Sequence, residues 1–212
     1  MKSKVGKMYK KFIQDKGEKP IILASRSPWR RRLLKKNGIA CRIHISKFKE
    51  ILKHVSPRHL VLHNATGKAL DVAQNYKNVS QNAIIIGVDT VGVLNGKILG
   101  KPKDRAHAKR MIKMLAGTTH EVISGLCVID VKKGKKICSA ETTKITFRKV
   151  SEAELEKYLD SNHWKGKAGS YAIQGRAKGF VSRIDGDITN VIGIPIERLK
   201  KMLRKIQKLS LR

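Results

Sequence analysis

Apolar and polar positions alternate along this chain in two rhythms, short solid runs of strand length and longer stretches with helical spacing. The first run, residues 20–24 (PIILA), predicts a strand, and Ser25-Arg26-Ser27-Pro28 follows it. Ser27 is suited to the N-cap and Pro28 to the first helical position, so a helix should run through Leu33 and Leu34 to a stop at Asn37-Gly38. Residues 39–45 read as a strand. Ser56-Pro57 opens a second helix whose apolar positions are Leu60, Val61, Ala65, Ala69, Val72 and Ala73. Residues 83–88 (AIIIGV) predict a buried strand that delivers Asp89 and Thr90 at its tip, before Asn95-Gly96 turns the chain back as a hairpin. Asp104 caps a helix to Leu115, closed by Gly117, and two strands, 120–131 and 137–147, flank a lysine-rich turn. Ser151 and Glu154 form a capping box for a helix ending near Asp160. A glycine-rich loop at 166–169, a Gln174-Gly175 turn, a strand at 180–184 and a basic amphipathic helix from Pro195 complete the chain. Helices and strands are interleaved without a linker or repeat, which predicts an α/β fold with a mixed sheet, as one domain or two lobes sharing that sheet.

Composition sharpens this picture at three points. With 212 residues and 41% hydrophobic content the chain can bury a core, and its longest apolar runs fall far short of a membrane span. The N-terminus has lysines but no apolar signal-peptide core, so a cytoplasmic setting without a membrane is expected. Three cysteines, Cys41, Cys127 and Cys138, lack CxxC spacing and read as small buried apolar side chains. The charge is unusual: 47 Lys+Arg against 16 Asp+Glu give a formal +31, and both ends are lysine-rich. Two readings stand side by side, a solvated face with a bias toward lysine, and an electrostatic footprint for nucleic acid. Aromatic residues make up only 5%, and neither a stacking platform nor a helix-turn-helix pattern is present.

Four separated segments suit phosphate chemistry: residues 25–30 (SRSPWR), Asp89-Thr90, residues 100–102 (GKP) and residues 167–169 (KAG). A helix N-terminus preceded by serines offers free N–H groups to an anion, and Arg30 can add a bidentate contact. Thr66-Gly67-Lys68-Ala69 briefly imitates the end of a phosphate-binding loop. It fails, because Leu62 stands where the first glycine belongs and Ala69 where a hydroxyl is required. His59 and His63 have the spacing of a zinc pair without the glutamate between them, and His120 reads as a structural histidine at a strand end.

Taken together, in this order, these segments resemble the Maf family of nucleoside triphosphate pyrophosphatases. The resemblance rests on residues 22–34 (ILASRSPWRRRLL), 86–91 (IGVDTV), 96–102 (GKILGKP), 115–120 (LAGTTH), 167–175 (KAGSYAIQG) and 190–195 (NVIGIP). It implies a Maf-like domain at 20–205 between a basic extension at 1–19 and a basic end at 206–212. The implied fold is Maf/ITPase-like, a two-lobed mixed sheet flanked by helices around a central nucleotide cleft. The implied reaction cuts a nucleoside triphosphate between its α and β phosphates with a divalent cation, Mg²⁺ or Mn²⁺.

The resemblance also implies roles. Asp89 is the proton acceptor, Ser25, Arg30, Lys68, Lys101, Lys167 and Gln174 line the substrate cleft, and Glu50 and Asp89 stand beside the metal. An aspartate of ordinary acidity, pKa ~3.9, does not deprotonate bulk water readily, whereas a metal-bound water, whose pKa drops toward ~7, is within its reach. Base choice falls on Trp29, Thr90 and Gln174. Thr90 and Gln174 resemble the dTTP- and UTP-hydrolysing branch, in which arginine stands at the position of Trp29. An aromatic there resembles the 7-methyl-GTP branch, whose cationic base would stack on an indole. The expectation leans to pyrimidine triphosphates, with Trp29 otherwise an anchor of the first helical turn on the sheet. The expected partners are the nucleotide, a second copy in a homodimer, and nucleic acid held weakly through the basic ends. A relative that binds nucleic acid but has lost catalysis is the alternative from another class.

Overall fold

The computed structural model describes residues 19–51, 56–77 and 82–208, so most of the two basic ends lies outside the described residues. In chain order the elements are β1 (Ile21–Leu23), α1 (Pro28–Lys36), β2 (Arg42–Ile43), α2 (Pro57–Lys77), β3 (Ile84–Leu94) and β4 (Lys97–Leu99). Then follow α3 (Arg105–Leu115), β5 (Thr119–Asp130), β6 (Lys135–Phe147), α4 (Glu152–Asp160), β7 (Val181–Asp185), α5 (Ile188–Ile192) and α6 (Ile196–Lys208). Seven strands form one sheet in the order β2-β1-β3-β5-β6-β7, with β4 on β3. β2, β1 and β3 run parallel, and the remaining pairings are antiparallel. This is the mixed α/β sheet that the interleaved pattern predicts.

The sheet is forked at the place that matters for chemistry. β5 fills one edge of β3 from Ile84 to Val93. The other edge is shared, because β1 pairs with β3 at Ile84 to Ile86 and β4 pairs with it at Gly92 to Leu94. Between these two partners, residues 87–91 of β3 face a gap. Asp89 is therefore not at a strand tip, as the apolar run suggested: the strand continues through it, held by β5 and resumed by β4, while the neighbouring strand ends.

Glycines set how closely α2 approaches this gap. A Cβ on Gly87 would lie 2.0 Å from the Ala65 carbonyl oxygen, and one on Gly125 would lie 2.2 Å from that of Val61. Any larger residue would push the helix off the sheet. Ile85 and Cys127 then meet Ala65, Ala69 and Val72 of α2 on this face, while Ile84, Ile86 and Val88 meet Leu34 of α1 and Leu199 of α6 on the other. A second core joins Ile112 and Leu115 of α3, Ile145 and Phe147 of β6 and Leu159 of α4. The two cores make two lobes on one sheet, with the gap in β3 between them.

Several local expectations change. The strand read at 39–45 shrinks to β2, since β1, its partner, offers only three residues. α5 was not foreseen from the sequence; Asp187 caps it by accepting from the Thr189 N–H at 2.7 Å. Phe180 ends a short 3₁₀ turn, and β7 begins one residue later. The basic amphipathic helix read from Pro195 onward is α6, which runs to Lys208 with Ile206 fully buried in the core. Of the cysteines read as buried, only Cys127 is: Cys41 is half-buried and Cys138 exposed. Among the described residues, no helix is long and apolar enough to cross a membrane.

Candidate active site

The first wall of the cleft is the turn from β1 into α1. Ser27 caps the helix by accepting from the Arg30 N–H, and Pro28 occupies the first turn, as the local sequence predicts. This places the Arg30 side chain across the gap in β3. Val88, which has no ladder partner there, accepts at its carbonyl from Arg30 Nη1 at 3.1 Å. The same Nη1 donates to Ser25 Oγ at 3.1 Å, Nη2 to Thr90 Oγ1 at 3.0 Å and Nε to the Gly193 carbonyl at 2.8 Å. Four of the five guanidinium N–H groups are thus used inside the protein. Burial draws the Arg30 pKa down from its ordinary value, and the charges of Asp89 and Glu50 oppose that. The fork read from the sequence as a phosphate contact is spent mainly on clamping β1, β3 and the loop after α5 together.

The floor lies on the opposite face of β3, because consecutive strand residues point to opposite sides. Thr90 faces Arg30, while Asp89 faces α2 and is only 7% exposed. Lys68 Nζ donates to Asp89 Oδ1 at 2.7 Å, lies 2.7 Å from Glu50 Oε1, and reaches the Val88 carbonyl at 3.4 Å. Its donors are therefore directed at protein oxygens, and its ammonium bridges the two carboxylates. Asn64, one turn before Lys68, donates to Asp89 Oδ2 at 3.2 Å. That amide is itself fixed, accepting from the Ile51 N–H at 3.0 Å and donating to the Ile51 carbonyl at 3.1 Å. Asn64 escaped the sequence reading. Its signal was present, since residues 64 and 68 are polar at core-facing positions among Leu60, Val61, Ala65, Ala69 and Val72.

The mouth is different in kind. A cavity of about 350 Å³ is lined by Trp29, Thr90, Lys101, Lys167 and Gln174 together with apolar Val91, Tyr171, Ile173 and Val191. A second, of about 340 Å³, is lined by Ser25, Glu50, Lys68 and Phe48, and the two share Ser27, Arg30 and Lys101. Asp89 sits behind Lys68, beneath the second cavity rather than in its wall. The loops carrying Lys101 and Lys167 are clipped together by the Gly169 N–H, which donates to the Gly100 carbonyl at 3.0 Å. Gly169 has φ of +65°, a conformation that favours glycine. Neither lysine ammonium is bonded to the described residues. Trp29 is 39% exposed, with the Arg32 guanidinium 5.1 Å from its ring centre, so it is a cavity wall and not an anchor on the sheet.

Buried polar groups stiffen the wall beyond the lysines. His120 Nε2 lies 2.6 Å from Tyr171 Oη, and Tyr158 Oη donates to the Ser170 carbonyl at 2.8 Å. Burial pushes the His120 pKa down to about 4, which keeps the ring neutral, and pushes the Tyr171 hydroxyl up. Asn190 donates to the Val122 carbonyl at 2.9 Å and to Thr143 Oγ1 at 3.1 Å, which seats α5 and thereby the Gly193 carbonyl against Arg30.

The arrangement combines two carboxylates, one bridging ammonium and two unengaged lysines around paired cavities, as a phosphoanhydride substrate requires. Among the described residues, no group of three or more His, Cys, Asp or Glu side chains gathers as a ready-made metal cage. The model of the Maf-like protein family matches residues 20–206. The chain is 42% identical over 188 residues to a dTTP/UTP pyrophosphatase of Pelotomaculum thermopropionicum, covering 88% of this chain and 96% of that protein. It is 42% identical over 194 residues to a dTTP/UTP pyrophosphatase of Pyrococcus furiosus, covering 91% and 98%. A Bacillus cereus protein of the same name is 39% identical over 196 residues, covering 91% and 94%. With the whole sheet, both lobes and every element of the cleft inside the matched region, this chain belongs to the Maf family.

Proposed function

We propose that this protein is a nucleoside triphosphate pyrophosphatase that hydrolyses the α–β phosphoanhydride of dTTP and UTP, giving the monophosphate and pyrophosphate. The observation that carries this reading is the meeting of Asp89, Lys68 and Glu50 at one gap in the sheet, beneath cavities flanked by the unengaged Lys101 and Lys167. The relatives named dTTP/UTP pyrophosphatase support the pyrimidine assignment. Trp29 then offers the base an indole face, and Gln174 an amide for its polar edge.

A divalent cation fits the donor set. Glu50 Oε1 and Asp89 Oδ1 converge on a single positive group, each 2.7 Å from Lys68 Nζ. Mg²⁺ is commonly held by one or two carboxylates together with substrate phosphates. When bound, such an ion neutralises phosphate charge and acidifies a coordinated water. Glu50 and Asp89 are the residues that would hold it.

The protein's own groups do the rest. Asn64 fixes the Asp89 carboxylate through Oδ2, so the acid that accepts the proton from the attacking water is held in one orientation. Lys68 keeps the two carboxylates together and balances their charge. Lys101 and Lys167 bind the outer phosphates and, with Ser25 and its neighbours, position the innermost phosphorus over the floor. The cytoplasm, where free nucleotides are abundant, is the setting this activity suits. The formal charge of +31 supports a looser attachment to nucleic acid through the basic ends, secondary to catalysis.

The test is pyrophosphate release from a panel of canonical and modified nucleoside triphosphates, with Mg²⁺ or Mn²⁺ present. dTTP and UTP should lead the panel, and Asp89→Asn should lose on the order of a thousandfold in rate while its circular dichroism stays unchanged. An inactive panel would overturn the enzymatic reading. Fastest turnover of 7-methyl-GTP would overturn the base assignment alone.

A further inference from the structure

A pair of thiols outside the cleft has no part in nucleotide hydrolysis. Cys127 of β5 and Cys138 of β6 are directly opposed in the antiparallel ladder, and their sulfurs lie 3.2 Å apart. Opposed residues in such a ladder have Cα atoms about 4.5–5.5 Å apart, inside the range that a disulfide spans. A bond between these sulfurs would therefore need no movement of the strands. Both cysteines are free thiols, and they differ sharply in environment. Cys127 is fully buried beneath α2, whereas Cys138 is open to solvent and lies 3.3 Å from Thr66 Oγ1.

This asymmetry gives the two sulfurs different tasks. The Cys138 thiol is held below its ordinary pKa by the hydrogen bond with Cys127, aided by the Thr66 hydroxyl and the Lys136 charge and opposed by partial burial. The shared hydrogen bond and burial push the Cys127 thiol up.

We propose that Cys127 and Cys138 form a reversible dithiol–disulfide site that reacts with hydroperoxides, Cys138 being oxidised first and Cys127 resolving. The Cys138 thiolate forms a bond to one peroxide oxygen as the O–O bond breaks, and hydroxide leaves to become water on protonation. The resulting sulfenic acid is attacked by the Cys127 sulfur. An S–S bond forms, the S–O bond breaks, and the departing hydroxide takes up the Cys127 proton as a second water. Two thiols are oxidised by two electrons in all, and one hydrogen peroxide is reduced to two waters.

The full chain treated with one equivalent of hydrogen peroxide at neutral pH, then unfolded in denaturant and alkylated, should carry label on Cys41 alone, with a Cys127–Cys138 linkage found by peptide mass mapping. A dithiol reductant should restore labelling of all three cysteines. Cys138 should react roughly tenfold or more faster than Cys41, in line with its larger thiolate fraction. Cys127→Ser should stop at a sulfenic acid on Cys138, trapped by dimedone. If that core variant does not fold, Cys138→Ser at the surface decides the matter, since it should leave only the slow Cys41 reaction. Labelling of all three cysteines after peroxide, linkage between separate chains, or unchanged fast oxidation in Cys138→Ser would overturn the proposal. Thiol labelling is independent of pyrophosphate release, so either result stands whatever the nucleotide panel gives.

Discussion

The floor and the mouth of the cleft are built from the same kinds of cationic side chain, yet those side chains are in opposite states. In the wall and on the floor beneath it, Arg30 and Lys68 are committed to protein oxygens, with four hydrogen bonds from the guanidinium and a bridge of 2.7 Å contacts from the ammonium to Glu50 and Asp89. At the mouth, the ammonium groups of Lys101 and Lys167 are bonded to no described residue, and their loops are held together by the Gly169-to-Gly100 hydrogen bond. The difference separates two jobs that the sequence shows as one. Buried cations assemble the gap in the sheet and orient the acid, at a desolvation cost offset only by complete pairing. Exposed cations keep their hydrogen bonds for the ligand.

Breaking this contrast should begin at Arg30. Arg30→Met removes a half-buried cation and the hydrogen bonds it gives to the carbonyls of Val88 and Gly193, leaving each only a longer contact, from Lys68 at 3.4 Å and Thr90 at 3.3 Å, so a loss of about 3 kcal/mol is expected. Thermal unfolding should show it as a fall in Tm of roughly 6–12 °C, together with loss of activity. A drop below about 2 °C would mean that Arg30 is not the clamp.

The wall behind the mouth should respond to pH. Because burial holds the His120 pKa at about 4, below the ordinary 6.5, the unfolded chain binds a proton there more readily than the folded one. The contribution is intact above pH 6.5 and is lost as pH falls toward 4, by about 3 kcal/mol in all. Urea midpoints at pH 7 and pH 4 should differ less in His120→Phe than in the native chain. An equal difference in both would remove His120 as the cause.

The smallest effect belongs to the mouth itself. Lys101→Gln and Lys167→Gln should each raise KM for the triphosphate roughly tenfold through a lost charge-assisted hydrogen bond. Tm should stay the same, since neither ammonium holds the described fold. A fall in Tm for either variant would erase the distinction between the two regions.

How much of this was readable beforehand depends on how local each signal is. Caps and turns were legible because their chemistry is contained in a few adjacent residues: Ser27-Pro28, Asp104, and the Ser151–Glu154 box all cap the helices expected of them. The extent of β3 was not, since what carries the strand past Val88 is pairing with β4 and β5, distant from the apolar run itself. The same holds for site residues. The motif order brought Asp89, Lys68 and Lys101 into view, but the inward turn of Arg30 depends on Val88, Thr90 and Gly193 meeting across the fold. Asn64 was hidden because a single amide in a helical apolar stripe looks like a tolerated defect until its partners, Ile51 and Asp89, are known. The cysteines misled for a related reason: Cys127 and Cys138 are opposed on one face of the sheet, and which of them is buried depends on how far α2 covers that face, which reaches Cys127 and leaves Cys138 exposed.

The spatial core of the proposal is that a triphosphate enters the gap in β3 with its innermost phosphorus facing residue 89. The most direct measurement is a crystal structure of Asp89→Asn with dTTP and Mg²⁺. The expected result has outer phosphate oxygens at hydrogen-bonding distance, about 3 Å, from the ammonium groups of Lys101 and Lys167, with the carboxamide of residue 89 facing the α-phosphorus. A triphosphate bound elsewhere, with residue 89 out of its reach, would contradict the assignment of both the site and the reaction.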